Sequence, residues 1–207
     1  MQIRMPKGSQ YTPLLIGVCS KDGVLLCADS RTTFFDGERF ERDDTCKKLF
    51  QINDNLLFGA CGIFGENDRF IEPFVGRNLK HIGVNTATEL VNDYLIGEMA
   101  VGHGLSDRNY LIAGKTRDGK YCLSHIRYNA SEQQIEIEKQ IGDDHGFYFL
   151  MMPPNGYVDE QYWKEKFELI LSEEREPISD RVSGYVNELK EISELAGGAV
   201  KYISVMG

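Results

Sequence analysis

The order of secondary-structure signals predicts an α+β fold, two stacked antiparallel sheets with a helix pair on each outer face. Three observations carry this expectation. Apolar strand-like runs come in pairs joined by turn residues. Two helix pairs follow two separate blocks of strands. The helices are apolar along one side only.

The first hairpin joins the apolar run 13–19 to the run 24–28 through Ser20-Lys21-Asp22-Gly23, which is turn chemistry. Such continuous apolar runs read as strands buried on both faces. A second hairpin joins 49–52 to 56–61 across Asn53-Asp54-Asn55. A helix is expected over 66–79, interrupted by Pro73. Another is expected over 88–99, where Leu90, Val91, Tyr94, Leu95 and Met99 recur at helical spacing and Asn85 or Thr86 caps the start. Strands return at 110–114, at 121–128 beyond the Asp118-Gly119 turn, and at 134–141, where Ile135 and Ile137 alternate. The second helix pair covers 159–172, with Trp163, Phe167, Ile170 and Leu171 on one side, and 179–195, with the stripe Val182, Tyr185, Val186, Leu189 and Ile192. Ser179 after Pro177 is the expected N-cap, and Gly197-Gly198 ends the helix. The run 199–206 is the last strand.

A chain of 207 residues with 42% hydrophobic and 27% charged residues suits one domain with a well-buried core. No repeat, low-complexity tract or linker divides it. The formal net charge of −9 repels phosphates, so neither a nucleic-acid nor an anionic-membrane partner is expected. No apolar run approaches the ~20 residues that cross a bilayer. Residues 1–11 carry Arg4 and Lys7 but no apolar signal core, so a cytoplasmic location is expected. Cys19, Cys27, Cys46, Cys61 and Cys122 are scattered and form no C-x-x-C pair, which fits small buried hydrophobes better than a zinc or redox site.

The run Gly17-Val18-Cys19-Ser20-Lys21-Asp22-Gly23-Val24-Leu25-Leu26-Cys27-Ala28-Asp29-Ser30-Arg31 resembles the first hairpin of proteasome β subunits. Lys47-Lys48-Leu49-Phe50-Gln51-Ile52, followed by Ala60-Cys61-Gly62, resembles their next block. Each motif is short. Their order and mutual spacing make the resemblance specific over the first third of the chain, and beyond Gly65 it lies in element order. The resemblance implies the N-terminal-nucleophile (Ntn) hydrolase fold, a four-layer αββα sandwich. Residues 1–11 would be a leader and 12–207 the domain.

It also implies a threonine peptidase. In such enzymes leader removal exposes a threonine whose hydroxyl attacks a carbonyl while its own α-amine takes the proton, an amine titrating near ~7.7–8.0. A lysine favours the ionised nucleophile, an aspartate holds the lysine, and a glycine N–H stabilises the oxyanion. Carried over residue by residue, Asp29 matches the aspartate, Lys48 the lysine and Gly62 the oxyanion glycine. Thr33 matches the threonine whose backbone pairs with substrate. Thr12 is the threonine near the nucleophile position.

The residues also depart from the family pattern. The gapless match places Pro13 at the nucleophile position, 16 residues before Asp29, with Thr12 one residue earlier. Tyr11 stands where the family has glycine. Gly142-Asp143-Asp144 replaces a Gly-Ser-Gly run, and Ser193 and Ala196 precede Gly197-Gly198. Two functions therefore stand side by side. One is a peptidase active after leader removal, with peptide or protein substrates. The other is a catalytically silent subunit of the same fold with the leader retained. The resemblance implies a homo-oligomer or ring, with the apolar residues Phe70, Ile71, Phe74 and Val75 of the 66–79 helix as a contact surface. His81, His103, His125 and His145 show no metal-ligand spacing, and there is no Gly-rich phosphate loop, so no cofactor or metal is expected. His145 beside Asp143 and Asp144 reads as a solvated loop.

Overall fold

The computed structural model describes residues 7–65, 70–102, 105–151, 159–173, 176–193 and 196–206. In chain order the elements are β1 (Ser9–Thr12), β2 (Leu15–Ser20), β3 (Gly23–Ala28), β4 (Thr32–Phe35), β5 (Phe40–Asp43), β6 (Leu49–Asn53) and β7 (Leu56–Gly65). There follow α1 (Val84–Ala100), β8 (Arg108–Lys115), β9 (Tyr121–Asn129), β10 (Gln134–Ile141), β11 (Phe147–Met151), α2 (Glu160–Ser172), α3 (Ile178–Ile192) and β12 (Lys201–Met206).

The strands form two antiparallel sheets. The larger runs β10-β9-β8-β7-β1-β4-β5, with β6 also on β7; the smaller runs β11-β2-β3-β12. Strand β7 has ten residues and serves two neighbours on one edge. Its first half pairs with β6, Leu49 opposite Gly59, and its second half pairs with β1, Thr12 opposite Gly62. Strands β6 and β1 therefore lie end to end along β7.

Local chemistry explains the hairpins. Ser20 pairs with Gly23, and the Ser20 hydroxyl accepts a hydrogen bond from the Asp22 N–H at 3.2 Å, closing a two-residue turn. Asn53 accepts from the Asn55 N–H at 2.9 Å and donates to the Leu79 and Ile82 carbonyls, tying the β6–β7 turn to the segment before α1.

Three apolar clusters hold the layers. Phe58, Phe64, Tyr110, Ile112 and Ile126 of the larger sheet pack on Val84, Ala87, Val91 and Leu95 of α1. Leu15, Leu26, Leu57, Leu111 and Leu123 pack between the sheets. Leu14, Ile16, Leu25 and Cys27 meet Trp163, Phe167, Val182, Tyr185 and Leu189 of α2 and α3. The expected helix stripes thus face the core, except that Ile192, expected in the last stripe, is exposed. The cysteines other than half-buried Cys46 are buried and unpaired.

Several expectations are corrected. Of the helix expected over 66–79, residues 66–69 lie outside the described residues. The rest holds only a 3₁₀ turn at Glu72–Phe74. Phe70 takes a left-handed φ of 64° and Gly76 one of 73°, neither of which a continuous right-handed helix contains. The contact surface expected there is largely absent, because Phe70 and Phe74 are buried against Phe64 and Phe58 while Val75 stays exposed. Helix α1 starts four residues earlier than expected, after Gly83, and neither Asn85 nor Thr86 caps it. Helix α3 follows Pro177 rather than Ser179. The sequence reading missed β1, β4, β5 and β11. Three of these four are only four residues long, too short for alternation to show.

Phe167 is fully buried, with its ring 4.9 Å from Tyr148 and 4.8 Å from Tyr185. Phe167→Ala should cost about 3–5 kcal/mol in urea denaturation. A loss below about 1 kcal/mol would show that this cluster does not fasten the helices to the smaller sheet.

Candidate functional site

The site lies where the two sheets meet, at the end of β3 and the junction of β6 with β1. Asp29 follows β3 and Lys48 precedes β6. Their side chains are 0% and 1% exposed, and Lys48 Nζ donates to Asp29 Oδ1 at 2.6 Å. The other Asp29 oxygen accepts from the Gly197 N–H at 2.8 Å and, more loosely, from the Arg31 N–H at 3.3 Å. Isolated buried charges are very costly, so a carboxylate with three donors and an ammonium on it form a mutually compensating unit.

The sheet register brings Thr12 to the same place. The Lys48 carbonyl accepts from the Ala60 N–H, and Thr12 lies opposite Gly62. Lys48 and Thr12 thus flank β7 two positions apart, a separation of about 7 Å along a strand. Gly62 has φ 125°, and a Cβ there would sit 2.5 Å from the Asp107 carbonyl oxygen, so only glycine fits.

Thr12 itself is 0% exposed, and its hydroxyl has no hydrogen-bond partner among the described residues. It closes a strand paired on both sides, with Tyr11 opposite Ile63 on β7 and opposite Thr33 on β4. The backbone of Thr33 is therefore engaged by residues 9–11 of the chain itself. Tyr11 is also buried, and burial, with Cys61 and Asp29 nearby, pushes its phenol well above the usual range. The structure thus brings Thr12, Asp29, Lys48, Gly62 and Thr33 into one neighbourhood. It adds Tyr11, Cys61 and the Gly197 N–H, which the sequence reading named but did not count among the site residues. Tyr11 had one available signal, its place next to Thr12.

Arg31 meets the Asp29 side chain through its backbone N–H and sends its guanidinium to Asp44. It grips Asp44 with two bonds, Nε–Oδ1 at 2.7 Å and Nη2–Oδ2 at 2.9 Å, and donates to the Ala196 carbonyl at 3.1 Å. The guanidinium holds the Asp44 carboxyl below its ordinary range. In the 142–146 loop, Asp143 accepts from the His145 and Gly146 N–H groups, an Asx turn.

Residues 14–88 match the family model for "Proteasome subunit". Among solved structures the chain is similar to Anbu from Hyphomicrobium sp. strain MC1, with a TM-score of 0.62 over 93% of this chain and 82% of that one. At 12% identity that likeness is one of fold. The sequence match covers the hairpin that carries Asp29 and the segments that carry Lys48 and Gly62.

Two further matches are to dihydroorotases. One is from Pectobacterium atrosepticum, 29% identical over 109 residues, 46% of this chain and 31% of that protein. The other, from Pectobacterium carotovorum subsp. carotovorum, is 29% identical over 97 residues, 41% of this chain and 28% of that protein. The chain spans less than a third of either relative, and the activity in their name is not carried over to it.

Two outcomes are expected of the site. Lys48→Met leaves Asp29 buried without its cation and should cost about 3–5 kcal/mol, most of it regained when Asp29→Asn is added. Urea denaturation of the two variants checks this, and equal losses would rule out a coupled pair. The Cys61 thiol, fully enclosed, is pushed from 9.0 up to about 12, chiefly by burial. The folded state then holds this proton more tightly than the unfolded chain does. Its contribution is intact below pH 9 and is lost as pH rises toward about 12. Cys61→Ala should flatten the alkaline fall in stability measured between pH 8 and about 11.

Proposed function

We propose that the chain is a proteasome-like subunit of four-layer αββα architecture, kept catalytically silent by its own N-terminal strand and acting as a structural or assembly element of a homo-oligomeric ring. The observation that carries this reading is β1. Residues 1–11 are the leader-like extension to a domain over 12–207. The end of that extension is hydrogen-bonded into the middle of the larger sheet, with Thr12 enclosed behind it. A threonine within a strand has an amide nitrogen, which is no base, and a buried hydroxyl meets no substrate. Pro13, at the position that the gapless family match gives to the nucleophile, has no hydroxyl at all.

A second reading is favoured by the pair Asp29–Lys48 and by Gly62. These are the groups a threonine hydrolase uses to orient and charge its nucleophile and to bind an oxyanion. If residues up to Tyr11 are cleaved away, Thr12 gains a free α-amine beside Lys48, and the channel left between β4 and β7 takes an extended peptide for amide-bond hydrolysis.

Intact mass and a panel of fluorogenic peptides separate the two. The silent subunit keeps its 23.5 kDa mass and turns over nothing. Loss of residues 1–11 together with peptide cleavage that Thr12→Ala abolishes would replace the first reading by the second. Light scattering should return a multiple of 23.5 kDa, and a monomer at micromolar concentration would remove the ring assembly.

A further inference from the structure

A cavity of about 540 Å³ lies beside Asp29 and Lys48, lined by residues 28–30, 44–49, 199 and 201–203, with no residue of β1 or β7 in its wall. It is separate from the strand channel, and its volume falls in the ~300–1,000 Å³ range of small-molecule sites. Its charges do not balance. The Asp29 carboxylate is matched by Lys48 and the Asp44 carboxylate by Arg31. Lys47 and Lys201, both exposed in the lining, make no ion pair among the described residues. Lys47 rests its ammonium 4.9 Å from the centroid of the Phe50 ring, which lies just outside the lining. Two uncompensated cations at one cavity, in a chain of net charge −9, mark a local positive field of opposite sign to the whole. The rest of the wall is partly apolar: Ala28, Leu49, Ala199, Ile203 and the ring of half-exposed Tyr202.

We propose that this cavity binds a small organic carboxylate, its oxygens held by Lys47 and Lys201 and its aliphatic or aromatic body against Leu49, Tyr202 and Ile203. Ammonium groups are point donors that meet a carboxylate without fixed geometry, and the apolar wall supplies the area that a bare inorganic anion would not use. The assignment does not use Thr12 and stands whichever reading of the catalytic site holds.

The test uses the full chain with hexanoate and its neutral counterpart hexanamide, followed by amide chemical shifts. A parallel arm compares N-acetyl-leucine with its amide, to tell a free acid from a peptide carboxyl terminus. Hexanoate or N-acetyl-leucine should shift Lys47, Leu49 and Tyr202 at millimolar concentration, weakening as salt is added. The double variant Lys47→Glu/Lys201→Glu, both side chains exposed, should bind about tenfold more weakly at an unchanged melting temperature. A second basic cavity provides the control. Lys80→Glu/Arg117→Glu, in the cavity beside the start of α1, should leave binding unaltered. The proposal is overturned if neither acid shifts these residues, if the amides bind equally, or if the control pair abolishes binding while the Lys47/Lys201 pair does not.

Discussion

The buried contact between Asp29 and Lys48 is the constraint around which the molecule closes. Asp29 follows a strand of the smaller sheet, Lys48 precedes a strand of the larger one, and Gly197 belongs to the connection between α3 and β12. One carboxylate therefore ties both sheets and the last connection together. The residues on either side reinforce it. The Ser30 N–H donates to the Gly197 carbonyl, the Ser30 hydroxyl accepts from the Ala199 N–H at 2.8 Å, and the Cys46 N–H donates to the Ser30 carbonyl at 3.0 Å. A buried pair is weak support for stability as such, since apolar replacements of equal volume often do as well. Its value here is placement. The only low-energy arrangement of two opposite buried charges is on each other, and that fixes where the sheet ends converge.

Strand β1 is the second dependency. It alone joins β7 to the β4–β5 hairpin, so the larger sheet is continuous only while residues 9–12 occupy their place. Both edges of β1 are paired, and its four residues are buried, including the polar side chains of Ser9, Gln10 and Thr12. Gln10 meets this cost in part by donating to the Gly65 carbonyl at 2.8 Å. Removing the strand would leave unpaired backbone groups facing a narrow channel, on β4 from one side and on β7 from the other. Such a channel must be refilled by an extended segment or by water. Retention of β1 and access to Thr12 are thus alternatives, not degrees of one state.

Much of this was legible in the sequence where local chemistry and periodicity agreed. The stripe Val182, Tyr185, Val186 and Leu189 gave α3 its buried face, and Ser20 to Gly23 gave the first turn. Asp29, Lys48 and Gly62 were legible through motif order. What was illegible depended on long-range pairing. Ser-Gln-Tyr-Thr carries no apolar alternation, so nothing local announces a strand that is buried because β4 and β7 enclose it. Phe70 and Phe74 read as an exposed helical patch because the left-handed turn at Phe70, which folds them inward, has no glycine to signal it. Asp44 was silent until Arg31, 13 residues away in sequence, was seen to reach it.

Pro13 explains why these features occur together. Proline has no N–H to give to a ladder, so it cannot sit inside a strand paired on both edges. It stands in the two-residue crossing between β1, in the larger sheet, and β2, in the smaller one. That crossing assigns Thr12 to the end of the first strand rather than to the start of the second. A shift of one residue in a strand reverses the face a side chain meets. A chain with a hydroxyl-bearing residue in place of Pro13 could begin its inter-sheet strand at the Asp29–Lys48 pair. With proline there, the hydroxyl beside that position in sequence is that of Thr12, and it belongs to β1. The Asp29–Lys48 pair follows this proline in sequence, and the strand that encloses Thr12 precedes it.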